Sequence, residues 1–192
     1  AFKRGLFEVQ DEGSQLIALL TGVRPGMTVI DYCAGAGGKT LAMAAALGPG
    51  GDKGVGDGAP RGRLIACDVS RYRMDRMAPR LKRDSWVKAN HEMADRVLAD
   101  VPCTGTGAWR RNLDAKWRFR PDDLEHLIEM QRLIMVQAAS LVAPKGRLVY
   151  ATCSLLREEN EEQIDWFMAE VPGFRVLPLA EVWTETVGGP PP

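Results

Sequence analysis

Two cysteines stand where loops should leave strands, in Asp100-Val101-Pro102-Cys103-Thr104-Gly105-Thr106-Gly107 and Tyr150-Ala151-Thr152-Cys153-Ser154. Ionised cysteine is a strong nucleophile. One chemistry that needs it is substitution at carbon 5 of a pyrimidine, which is too electron-poor to react unaided. Thiolate addition at carbon 6 turns the ring into an enamine-like species that attacks through carbon 5. A base must then remove the carbon-5 proton so that the thiolate can leave. The flanking Pro, Thr and Gly favour shaped loops over strand interiors at Cys103 and Cys153. Cys33 and Cys67 lack such neighbours and read as structural, since free cysteine is among the most buried residue types.

Several elements must position these groups. Asp11 can cap a short helix running to Leu20. Thr28–Tyr32 reads as a buried strand, and Gly35-Ala36-Gly37-Gly38 feeds a helix from Lys39 to Leu47. Residues 48–62, rich in Gly and Pro, read as a flexible loop. Further strands are expected at Arg63–Asp68, Arg96–Asp100 and Arg147–Ala151. Helices are expected at Tyr72–Arg83, Pro121–Val142 and Glu158–Glu170. Alternating strands and helices predict an α/β fold, a parallel sheet with helices on both faces. Ligands then bind at the carboxyl ends of the strands. The polar residues there are Asp31, Asp68, Asp100 and the Thr152-Cys153 pair.

The glycine turn admits three ligands. A P-loop ending Gly38-Lys39-Thr40 needs a glycine where Cys33 stands. A dinucleotide fingerprint built on Gly35 and Gly37 needs a glycine at Thr40. S-adenosylmethionine needs close backbone approach and an acid at the next strand end, which Asp68 supplies. A tight turn with no ligand is the bland alternative.

Taken together, these segments resemble the Nol/Nop/Sun RNA (cytosine-5) methyltransferases, in particular the bacterial Sun/Fmu type. Val9-Gln10-Asp11 with Ser14, the run Asp31–Thr40, and Asp68-Val69-Ser70 with Arg73 match its motifs. So do the two cysteine segments and Glu158-Glu159-Asn160-Glu161; the resemblance covers about residues 5–183. It implies the Rossmann-like sheet of class I S-adenosylmethionine-dependent methyltransferases. It implies Cys153 as the nucleophile, Cys103 as the residue assisting product release, and Asp100 as the partner of the cytosine near N3 and N4. It implies that Cys33, Ala34, Gly35, Ala36, Gly37, Gly38, Lys39, Asp68, Arg73 and Asp100 hold S-adenosylmethionine. Ribosomal RNA is the first substrate it suggests and transfer RNA the second.

The sequence departs from the family pattern in three places. Gly35-Ala36 replaces the usual Ala-Pro. The stretch between Asp68 and Asp100 is too short for the usual helix, strand and adenine-side acid, so the 84–95 strand is expected to be shortened or cut. The chain stops at Pro192, before the family's final hairpin. These departures keep a second class open: an RNA-binding or ribosome-assembly factor on a degenerate methyltransferase fold. A DNA cytosine methyltransferase fits less well, because those enzymes take their nucleophile from the Pro-Cys motif. Residues 1–24 are expected to form a linker and helix, and 25–192 a catalytic domain trimmed at both ends.

The 192 residues carry 25 basic and 25 acidic side chains, so the chain is formally neutral. That excludes a uniformly basic nucleic-acid binder and an acidic disordered tail. No apolar run reaches the length of a membrane span. Ala1 heads no signal-like core, and four dispersed cysteines suit neither a zinc site nor a disulfide framework, so a cytoplasmic protein without metal is expected. It is expected to act as a monomer. The missing initiator Met suggests a piece of a longer chain. Neutrality hides two basic stretches. Tyr72–Arg83 reads equally as a solvated face or an RNA contact. Trp109–Arg120 follows the Cys103 loop and favours RNA, with Arg110, Arg111, Lys116, Trp117 and Arg118 as candidate contacts. The acids of Glu158–Glu170 are expected to face away from RNA.

Overall fold

The computed structural model describes residues 9–47, 62–77 and 93–191. Most of the 48–62 loop, the second half of the 72–83 helix and most of the 84–95 stretch lie outside these residues.

Among the described residues four strands form one parallel sheet: β1 (Thr28–Asp31), β2 (Arg63–Ala66), β3 (Ala94–Asp100) and β4 (Val142–Ala151), in the order β2-β1-β3-β4. Seven α-helices accompany them among the described residues: α1 (Glu12–Leu20), α2 (Gly38–Ala46), α3 (Arg71–Met77), α4 (Ala115–Arg118), α5 (Pro121–Ala139), α6 (Glu161–Glu170) and α7 (Leu179–Thr186). Successive strand side chains point to opposite faces, and the core divides accordingly. Ile30, Ile65, Val97 and Ala99 pack with Ala138 of α5. Val29, Leu98 and Ala151 pack with Ala18 of α1 and Met43 of α2. Helices therefore cover both faces, as the alternation predicts. Both faces being buried explains the near-continuous apolar strands. Each wholly buried aliphatic such as Leu98 contributes about 1.5–3 kcal/mol.

Local signals account for the helix starts. The Asp11 carboxylate accepts from Gly13 N–H (3.1 Å), satisfying a donor that the helix leaves orphaned. Pro121 occupies the first turn of α5, and Arg120 N–H donates to Asp123 Oδ2 (2.9 Å).

Three sequence expectations need correction. Helix α5 ends at Ala139 rather than Val142, and β4 begins at Val142 rather than Arg147. The breaker Pro144-Lys145-Gly146 is absorbed as an irregularity inside the strand, where the register shifts between Ala94 and Arg96 and Lys145 takes φ 67°. The acidic segment opens with a 3-10 turn, Arg157–Glu159, and α6 starts only at Glu161. Helix α7 was not expected. It is held at the amino edge of the sheet by Glu185, which pairs with Arg24 (2.9 Å) and Arg147 (2.5 Å). Among the described residues no helix is long and apolar enough to cross a membrane.

Candidate active site

The register aligns the carboxyl ends of the strands. Asp31 sits opposite Ala66 and Leu98, and Asp100 opposite Ala151. The residues following these positions form one polar edge.

On the β1–β2 side lies the glycine turn. Gly35 and Gly37 take φ 56° and 87°, values open to glycine but strained for other residues. A Cβ on Gly37 would overlap the side chain of Met77, so this glycine also lets α3 close against the turn. Gly37 then caps α2, which starts at Gly38. Ala34 is buried and its N–H donates to the Cys67 carbonyl (2.8 Å), while Ala36 is exposed. Asp68 is nearly inaccessible, its side chain 2% exposed, because the turn wraps it. It accepts from Gly35 N–H (2.8 Å) and Ser70 N–H (2.7 Å) and pairs with Arg73 (2.9 Å). Three of about four acceptor positions on that carboxylate are thus filled.

Asp31 stands on the edge that the sequence predicts, though the sequence assigns it no role. It is buried, Thr40 Oγ1 donates to its Oδ2 (2.6 Å), and its Oδ1 has no partner among the described residues. Burial chiefly pushes its pKa up to about 7, against the Thr40 hydrogen bond. Cys33 is pushed up to about 12, first by burial and then by Asp31, Asp68 and Asp100. Cys67 is raised by burial and Asp31. Both stay protonated at neutral pH, in line with the structural reading.

On the β3–β4 side the two motif cysteines meet. Their Sγ atoms lie 3.3 Å apart, and Cys153 N–H also points at Cys103 Sγ (3.3 Å). A Cβ on Gly107 would stand 2.9 Å from the Cys153 carbonyl, which accepts the Gly107 N–H, so this close approach of the two loops needs a glycine there. The Cys103 thiol beside Cys153 holds the Cys153 pKa down to about 7, against burial and Asp100 and with help from Lys39. The same contact, with burial, drives Cys103 up. Lys39 Nζ reaches Asp100 Oδ2 (2.6 Å) and so links the glycine turn to the cysteine side. Among the described residues no metal-binding group of His, Cys, Asp and Glu occurs.

The basic stretch after Cys103 is mixed. Trp117 is 80% exposed with Lys116 Nζ 4.7 Å from its ring centroid. Trp109 is half-buried and packs on Phe119 at 6.2 Å. Arg110 is exposed; Arg111 pairs with Asp11 and Arg118 with Asp114 (2.7 Å). The acidic segment does not face away as a whole. Glu159 is wholly buried against the Cys103 loop, and half-buried Asn160 bonds to the Cys153 loop. The sequence signal for both was the Glu158–Glu161 match, which carried no role.

A family model described as 16S rRNA methyltransferase RsmB/F matches residues 18–188. The chain is 36% identical over 186 residues to the ribosomal RNA small subunit methyltransferase B of Sodalis glossinidius, covering 89% of this chain and 40% of that one. The crystal structure of PH0851 superposes with a TM-score of 0.81 at 34% identity, over 93% of this chain and 41% of that one. NSun6 from Pyrococcus horikoshii, solved with SFG, gives a TM-score of 0.73 at 28% identity, over 88% of this chain and 44% of that one. The chain thus spans less than half the length of these relatives.

Proposed function

Because the chain belongs to the RsmB/F family of 16S rRNA methyltransferases, we propose that it moves a methyl group from S-adenosylmethionine to carbon 5 of a cytosine in ribosomal RNA, through a covalent bond between Cys153 Sγ and carbon 6. The observation that carries this reading is the pair of thiols 3.3 Å apart at adjacent strand ends, beside Asp100 and Lys39.

The cofactor fits the β1–β2 side on two observations. Asp31 Oδ1 is a buried acceptor lacking a partner, suited to a cationic ammonium donor. The Cβ position of Gly35 meets nothing within 4 Å, leaving the turn open to close approach. Cys33 through Lys39 line that turn by their backbone, and Asp68 and Arg73 fix its shape; Asp68 keeps one acceptor position for a hydroxyl. S-adenosylmethionine supplies an electrophilic methyl group when bound there.

The remaining steps belong to this chain's residues. Cys153, with a pKa of about 7, provides thiolate at neutral pH and adds to carbon 6 of the cytosine. Asp100 hydrogen-bonds the ring near N3 and N4 and so favours the adduct in which N3 has taken up a proton, which neutralises the charge that the thiolate brings. Once Cys153 is bonded to carbon 6, the contact that raises the Cys103 pKa is gone. Cys103 then serves release: the carbon-5 proton leaves to a base, the C6–S bond breaks, and the thiolate returns to Cys153. The cytosine must leave its stack to reach Cys153, so an unpaired or flipped base is the substrate. Exposed Trp117 offers a stacking surface, and Arg110, Arg111, Lys116 and Arg118 meet phosphates. The acid partners of Arg111 and Arg118 are exposed, and such pairs yield readily to a phosphate.

The test is trapping with small-subunit ribosomal RNA. Cys153→Ser should abolish methyl transfer and adduct, and Cys103→Ala should accumulate a protein–RNA adduct. Adduct loss in Cys103→Ala with Cys153→Ser still active would reverse the two roles. Calorimetric titration with S-adenosylmethionine showing no binding would favour an RNA-binding scaffold instead.

A further inference from the structure

Two consecutive residues each straddle one of the cysteines. Glu159 is wholly buried and has no cationic partner among the described residues, yet its carboxylate is satisfied. It accepts from Thr104 N–H (2.9 Å), from Thr104 Oγ1 and from Gln131 Nε2 (2.9 Å). Gln131 Nε2 also donates to the Pro102 carbonyl (2.9 Å). The residues on both sides of Cys103 are therefore tied to one carboxylate, one of them through Gln131. Asn160 repeats the pattern at the other loop. Its Oδ1 accepts from Thr152 Oγ1 (2.8 Å), and its Nδ2 donates to the Ser154 carbonyl (3.1 Å) and the Leu156 carbonyl (2.7 Å). The residues on both sides of Cys153 are thus tied to one amide. Tyr150 Oη donates to the Glu159 carbonyl (2.7 Å), locking this pair to β4.

A buried carboxylate without a counter-ion is costly unless hydrogen bonds fill its acceptor positions. Here the filling donors are the backbone and side chains that set where Cys103 lies. Peptide-bonded neighbours cannot drift apart, so the 159–160 pair fixes one loop against the other.

We infer that Glu159 and Asn160 are positioning residues, which together set the Cys103–Cys153 separation and so divide the labour between attack and release. This rests on the proposed cysteine chemistry for its functional half only. Glu159 holds the Cys103 loop, so its loss impairs release; Asn160 holds the Cys153 loop, so its loss impairs attack.

Near-isosteric variants test this in the full chain. Glu159→Gln sets an amide donor against Thr104 N–H or Gln131 Nε2. Asn160→Asp keeps the acceptor for Thr152 and removes both donors. Two readouts need no RNA: cross-linking of Cys103 to Cys153 by a bifunctional bimane, mapped by peptide mass, and the pH profile of Cys153 alkylation. In each variant cross-linking should slow roughly tenfold and the alkylation midpoint should rise by about one unit, the amount that separates tenfold in thiolate. With RNA, Glu159→Gln should accumulate adduct, and Asn160→Asp should form it slowly without accumulation. Thermal melting accompanies every variant. Unchanged cross-linking and alkylation alongside a lowered melting temperature would overturn the inference, leaving a purely structural pair. Shifted thiol readouts with no RNA adduct in any chain would instead sink the proposed reaction and leave the positioning role standing. If Glu159→Gln fails to fold, Thr104→Val removes one donor to the same carboxylate and takes its place in both readouts.

Discussion

Cys33 and Cys67 follow β1 and β2; Cys103 and Cys153 follow β3 and β4. All four lie along the same carboxyl edge, and none is in a disulfide. Cys33 is set among Asp31, Asp68 and Asp100, and burial adds to their repulsion of a thiolate. Cys153 shares the field of Asp100, yet a neighbouring thiol and the Lys39 ammonium outweigh it. The difference teaches that the edge alone does not make a cysteine reactive. What the thiolate can accept a hydrogen bond from decides it.

The comparison breaks most easily on relative reactivity. At pH 7.5, alkylation of Cys153 should outpace that of Cys33 by on the order of a hundredfold, because the lower nucleophilicity of an acidic thiolate offsets only part of its abundance. Equal rates, read by peptide mass after brief exposure to iodoacetamide, would dissolve the contrast. Next in size is Cys103→Ala. Removing the thiol donor should return the Cys153 midpoint from about 7 towards the ordinary 9, slowing its alkylation at pH 7 about five- to tenfold.

A third experiment sharpens the β1–β2 side. Asp31 has a folded pKa of about 7 against an ordinary 3.8. The native state then holds a proton that the unfolded chain releases between those values. Its favourable contribution is complete below pH 4 and is lost as pH rises through 7. Asp31→Asn should therefore gain stability over the parent as pH rises from 4 to 8, the two being indistinguishable at pH 4, by denaturant melts across that range. A difference that does not change with pH would show that Asp31 ionises as freely in the folded chain as in the unfolded one. The smallest change is expected from Lys39→Met, since Lys39 acts on Cys153 only through space and comes last among its influences. The alkylation midpoint should rise by about 0.3 units, or about twofold in thiolate; a full-unit rise would make Lys39, rather than Cys103, the main partner.

Much of this contrast was legible beforehand. Strand ends are set by apolar runs that stop at acids, so Asp31, Asp68, Asp100 and the Thr152-Cys153 pair could be put on one edge without coordinates. The loop-like neighbours of Cys103 and Cys153 were what set them apart from Cys33 and Cys67. What could not be read were relations across the chain. Pro144-Lys145-Gly146 has the composition of a turn, yet pairing with β3 keeps it in a strand. Glu159 looks like one more surface acid, and only the donors of Thr104 and Gln131, distant in sequence, reveal a buried one. Asp31 shows the same limit: an unpartnered oxygen is a property of packing, invisible in residue order. Trp109 and Trp117 have similar neighbours in sequence, but one packs at a tilt against Phe119 and the other faces solvent.

The grip of Glu185 on Arg24 and Arg147 has a kinetic meaning. It reaches back 161 positions to the first and 38 to the second. Contacts that close loops of that size reward the chain only after the intervening sheet has formed. Helix α7 therefore docks late in folding and is the natural place for opening to begin. Its amides should exchange with solvent by local detachment, ahead of those in β1 and β3 at the centre of the sheet.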